Sequence, residues 1–64
     1  MNKREKNNEL RDAVIDLRKK NIKYGEIADL MELPRSTIYN WLHRNFDFGL
    51  ERLETLEYMI DAIS

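Results

Sequence analysis

The sequence predicts an all-α fold: a three-helix core followed by a C-terminal amphipathic helix, in a single domain spanning residues 1–64. Three observations lead there. Apolar residues recur at three- and four-residue spacing in separate windows, and almost nothing alternates with the period of a strand. The breaks between windows are short and carry stop signals at Asn21, Pro34 and Gly49. The chain has 64 residues and no cysteine, which leaves room for one small core and no disulfide framework. A lone histidine without a thiol does not supply the usual ligand set of a structural zinc site, so neither metal nor cofactor is expected. No apolar run approaches membrane-spanning length, and MNKREKNNEL lacks the apolar stretch of a secretory signal; a soluble cytoplasmic protein with no membrane partner is expected.

The elements follow in order. Residues 1–6 read as a flexible basic arm carrying Lys3, Arg4 and Lys6, which the acid Glu5 interrupts. The three-helix core is expected over residues 7–45. Asn7 or Asn8 serves as N-cap to a first helix whose stripe is Leu10, Ala13, Val14 and Leu17. Lys19 and Lys20 suit the negative pole of its dipole, and Asn21 tolerates the left-handed backbone that ends it. Ile22 turns the chain inward. A shorter helix over residues 24–31 carries Ile27, Leu30 and Met31 on one side, with the small Ala28 at a close approach. Leu33, preceding Pro34, is pushed out of the helical region, and proline favours the opening of a third helix. That helix puts Ile38, Trp41 and Leu42 toward the core. In NFDFG, residues 45–49, Phe46 and Phe48 pin a connection to the core, and Gly49 allows an irregular backbone.

Charge is asymmetric along the chain. The formal net charge is −1, but residues 1–44 hold ten Lys and Arg against seven acids, and residues 45–64 hold one Arg against five. At 100° per residue, the side of the third helix opposite Ile38, Trp41 and Leu42 centres on Ser36, Asn40 and His43, flanked by Thr37, Tyr39 and Arg44. These residue types contact DNA. Asn pairs bidentately with adenine, His reaches a base or a phosphate, and Tyr hydrogen-bonds phosphate or packs on a thymine methyl. Arg35, at the helix start, is free to reach a guanine or a phosphate. Ser36 and Thr37 hold phosphate through hydroxyls and the exposed N–H groups of the first turn. Lys23 and Tyr24, opening the second helix, lie beside the same strand.

Two short helices joined by a tight turn form a helix-turn-helix arrangement. YGEIADLMELPRSTIYNWLHR, residues 24–44, resembles the helix-turn-helix of small phage and transposon DNA-binding proteins, including transposase and resolvase-type domains. The resemblance rests on Ala28 at the interhelical contact, on Ile27, Met31 and Leu33 around the turn, and on Ile38 and Trp41 within the recognition helix. LPRSTIYNWL is also similar to winged-helix repressors that open the recognition helix with Leu-Pro. One departure is Glu32, which stands where such turns commonly place glycine.

The last window, LERLETLEYMIDAIS, spaces Leu53, Leu56, Ile60 and Ile63 as an apolar stripe that Leu50 and Met59 widen. Its outer face, Glu51, Glu54, Glu57 and Asp61, repels phosphate. The helix over residues 50–63 either folds back onto the core or pairs with its copy in a second subunit. Pairing is the expectation, because helix-turn-helix proteins gain specificity from two half-sites. The expected function is sequence-specific binding of double-stranded DNA, as a small transcriptional repressor or accessory factor of a mobile element, acting as a homodimer. The alternatives are an antirepressor or adaptor that uses the acidic helix to bind a protein, and the DNA-binding part of a larger transposase. No nucleophile and base are paired and no glycine loop cradles phosphate, so catalysis is not expected.

Overall fold

A computed structural model describes residues 2–63. They form helices α1 (Lys3–Lys19), α2 (Tyr24–Met31), α3 (Arg35–Leu42) and α4 (Leu50–Ile63). Among the described residues the chain is all-α, and no helix is long and apolar enough to cross a membrane.

The first helix begins earlier than the apolar stripe suggests. Asn2, not Asn7 or Asn8, is the N-cap of α1, its Oδ1 accepting the Glu5 backbone N–H at 2.8 Å. Asn2 and Glu5 stand three apart, the spacing of a capping box, and the Asn2 amide also donates to Glu5 Oε1 at 3.2 Å. Lys3, Arg4 and Lys6 therefore ride on the first turns of a helix and are not part of a flexible arm; Met1 lies outside the described residues. Lys6 reaches across to Glu57 of α4 at 3.4 Å.

The buried face of α1 is Asn7, Leu10, Arg11, Val14 and Leu17. Ile27, Ala28 and Met31 of α2, Ile38 and Trp41 of α3, and Phe48 of the connection meet it. Leu53, Leu56 and Ile60 of α4 complete this core, with α4 packed chiefly on α1 and α2. The expected dimer seam is thus corrected. Leu53 and Leu56 have no exposed surface and Ile63 is partly buried against the core, so the stripe is spent inside one chain. Its spacing is the same for either use; here it is taken up by packing on α1 and α2.

Smaller corrections follow from the same packing. Leu30, Leu50 and Phe46 are substantially exposed, so of the two phenylalanines in the 45–49 connection Phe48 is the one buried in the core. It stacks on Trp41 with ring centroids 4.9 Å apart. Gly49 has no positive φ, and its backbone carbonyl receives the Leu53 N–H at 3.0 Å, opening α4.

Candidate nucleic-acid interface

The interface is set by how α3 is anchored. Ile38 and Trp41 are fully buried, three positions apart on an eight-residue helix, so the opposite side must face out. Trp41 is fixed further by polar contacts. Its indole N–H donates to Asn7 Oδ1 at 2.8 Å, and its backbone carbonyl accepts from Arg11 Nε at 2.7 Å. Asn7 also accepts the Phe48 N–H at 3.0 Å and donates to the carbonyls of Phe48 and Lys3 at 3.1 and 3.0 Å. Arg11 additionally donates to Asn8, to the Phe46 carbonyl and to Asp47 Oδ1, the last an ion pair at 2.8 Å, with its guanidinium 5.3 Å from the Trp41 ring centre. These two buried polar residues weld α1 to the end of α3 and to the connection after it. Sequence reasoning missed them because it sought only apolar members of the α1 stripe, although Asn7 and Arg11 share its spacing.

On the outward side, Arg35, Ser36, Tyr39, Asn40, His43 and Arg44 are exposed, and Thr37 is partly buried. The structure therefore brings together on one surface all the positions expected on this helix. Tyr39 and His43, one helical turn apart and both exposed, have ring centroids 4.1 Å apart and planes tilted by 40°. Asn45 Nδ2 donates to Asn40 Oδ1 at 3.3 Å, and its backbone N–H to the Asn40 carbonyl at 3.0 Å.

Lys23 and Tyr24 join the same surface at the start of α2. Lys23 is the N-cap of α2 and Pro34 of α3, and neither helix start is capped by a side chain. Both starts carry the partial positive charge of uncapped N–H groups. They line one open concavity together with Arg18, Gly25, Arg35 and Tyr39. Arg18 lies over the Tyr24 ring at 4.1 Å. Arg35 lies back across Gly25: a Cβ built at Gly25 would stand 2.8 Å from its Nε and Nη2. Arg35 is thus seated beside the α2 terminus and does not swing freely. Arg18 was not foreseen. Its only sequence signal is its place directly after the last core residue of α1, on the side from which the chain turns into α2.

The turn between α2 and α3 takes the left-handed backbone at Glu32, with φ 57°. The Leu33 N–H reaches the Ala28 carbonyl at 2.9 Å, and the Glu32 N–H reaches that of Asp29 at 3.1 Å. The turn geometry that commonly employs glycine is therefore made with glutamate.

No curated protein and no solved structure matches the chain. A family model described as a homeodomain-like domain matches residues 9–54, which takes in most of α1, all of α2 and α3, and the start of α4. The matched span, the buried Ile38 and Trp41 and the polar outward face of α3 agree, and the chain belongs to the homeodomain-like family of helix-turn-helix DNA-binding domains, the type found in transposases and related regulators.

Proposed function

We propose that this protein binds double-stranded DNA sequence-specifically, with α3 in the major groove, and acts by occupying its site as a transcriptional repressor or accessory factor of a mobile element. The observation that carries the reading is the division of α3 into a fully buried edge and an outward face with no ties to the core. That face offers amide, imidazole and phenol groups at base-reading distance from a helix axis. Beside it, two uncapped helix starts with Arg18, Lys23 and Arg35 form a positive hollow suited to a backbone phosphate. Asn40 reads a base, and Tyr39 and His43 pack against the groove wall. Catalysis has no part in this action, and a cytoplasmic setting is consistent with it.

An adaptor that uses the acidic helix to bind a protein would have to do so through its exposed outer face, Glu51, Glu54 and Asp61, because the apolar stripe of α4 lies in the core. Half-site pairing through the same stripe loses its surface for the same reason. The test of the proposal is selection of bound sequences from random duplex DNA at modest salt, followed by Asn40→Ala on the selected site. The expected outcome is an enriched motif and a loss of about 1–3 kcal/mol with relaxed preference at one base pair. No enrichment at any salt concentration would remove sequence-specific binding.

A further inference from the structure

We infer that Asn45, which lies beyond the end of α3, is a positioning residue for base reading: it fixes which way round the Asn40 amide is presented, and so the strand on which an adenine is read. The inference rests on the DNA reading above, with Asn40 as the base contact.

Helices α1, α2 and α3 each close with a left-handed residue, Asn21, Glu32 and Arg44, followed by an N–H that reaches back five positions. Closures of this kind commonly pair two apolar side chains across the same interval. The residues so joined are Ile22 and Leu17 at the end of α1, and Leu33 and Ala28 at the end of α2, all four in or against the core. At the end of α3 they are Asn45 and Asn40, both exposed. Two amides thus stand where the other two closures have apolar residues, and they are tied, Asn45 Nδ2 donating to Asn40 Oδ1 at 3.3 Å. Such a pair contributes little to stability, because water competes for both groups. Its effect is on orientation.

Asn45 is itself held from both sides. Its N–H donates to the Asn40 carbonyl at 3.0 Å, and the Arg44 N–H before it donates to the carbonyl of the fully buried Trp41, also at 3.0 Å. On the other side, the Phe46 carbonyl accepts from the buried Arg11 at 2.7 Å. The anchor of the Asn40 amide therefore runs back to the core.

An asparagine amide is planar, with an acceptor on one arm and two donors on the other, and adenine offers the matching groups at N6 and N7. In the major groove an A·T pair presents N7 and N6 from one strand, and a T·A pair presents them in reverse order from the other. An amide free to turn over meets either. With Oδ1 tied to Asn45, which leaves it a lone pair for N6, Nδ2 is left on the other arm and, among the described residues, takes part in no hydrogen bond. Only one of the two orientations then sets N7 against Nδ2 and N6 against Oδ1.

The test is a competition titration on the selected site. The base pair read by Asn40 is located by the loss of preference in Asn40→Ala, and is then written in all four versions. The wild-type chain is expected to prefer one orientation of the A·T pair over the other by about tenfold, the discrimination that one bidentate pair supplies. Asn45→Ala, an exposed change that should melt like wild type, is expected to bind the two orientations about equally while still preferring both to the G·C versions. Asn45→Asp, whose carboxylate only accepts, should draw Nδ2 to itself, turn the amide over and reverse the preferred orientation. Its repulsion of phosphate weakens all four duplexes alike and cancels in the ratio, so this variant decides the matter even where Asn45→Ala melts low. Asn45 variants that weaken all four duplexes equally, with the wild-type orientation still preferred, overturn the positioning role and leave the DNA reading standing. Lost preference at a different base pair in Asn45→Ala makes Asn45 a direct base contact and overturns it likewise. A wild-type chain that binds no duplex overturns both.

Discussion

Asn7 uses all four of its hydrogen-bonding positions inside the core, accepting from Trp41 and Phe48 and donating to Phe48 and Lys3. Asn7→Ala strands the indole N–H and both backbone groups of Phe48 in a buried site. At about 1–3 kcal/mol for each buried orphan, the expected loss is about 3–5 kcal/mol in a urea melt, comparable to the whole stability of so small a domain. A variant that melts like wild type would move Asn7 out of the network. Asn40→Ala, by contrast, should leave the melt unchanged, because that side chain is exposed and, among the described residues, its hydrogen bond goes to the exposed Asn45. Gly25 gives a prediction of opposite sign. A methyl there collides only with the flexible Arg35 head, so Gly25→Ala should melt no lower than wild type, and up to about 1 kcal/mol higher, while DNA affinity falls as Arg35 leaves its seat. Unchanged affinity in a binding titration would show that the seat plays no part. At this scale the outward face of α3 was legible, because 100° periodicity fixes which residues oppose Ile38 and Trp41. Asn7, Arg11 and the Arg35 seat were not: each depends on a partner more than ten positions away or on the absence of a side chain.

Helix ends show what local chemistry does and does not announce. α1, α2 and α3 close in the same way, with a left-handed residue at Asn21, Glu32 and Arg44. In each, the next N–H reaches back five positions, Ile22 to Leu17, Leu33 to Ala28 and Asn45 to Asn40. This is the Schellman closure, for which glycine is the usual residue. Asn21 announces itself, since asparagine tolerates that backbone; Glu32 and Arg44 do not, since their residue types argue against it. Glu32→Gly should relieve the strain, offset in part by the entropy of glycine, for a net gain of about 0.5–1 kcal/mol and a rise of a few degrees in a thermal melt. No gain would mean that the Glu32 side chain compensates its backbone in the native turn. Arg44 also lines a surface hollow together with Arg4 and Arg11. Strain retained at the end of a recognition helix is consistent with a place where backbone geometry serves binding.

For the molecule as a whole, α4 decides the assembly. Its alternating three- and four-residue rhythm is equally that of a dimer seam and of a core helix, and no pattern within residues 50–63 distinguishes them. What distinguishes them is the burial of Leu53, Leu56 and Ile60 in the same core as Leu10, Val14 and Met31, which only the packing of α4 on α1 and α2 reveals. The result is a compact body, with a Cα radius of gyration of 10.6 Å, against about 10.7 Å expected for a globular chain of this length. The apolar surface of α4 is spent, and Glu51, Glu54 and Asp61 remain outside as a like-charged face that opposes self-pairing. Replacing Leu56 and Ile60 by Glu should therefore unfold the chain outright, since it buries two unpaired carboxylates in the core. Circular dichroism distinguishes this from the seam reading, under which the double variant would remain a folded monomer. The wild-type chain should sediment as a monomer at micromolar concentration and protect one contiguous stretch of DNA without dyad symmetry. A concentration-dependent dimer, or a selected motif that is an inverted repeat, would require a second interface on a surface other than the α4 stripe. The exposed Tyr58 and Leu50 would then be the first positions to mutate.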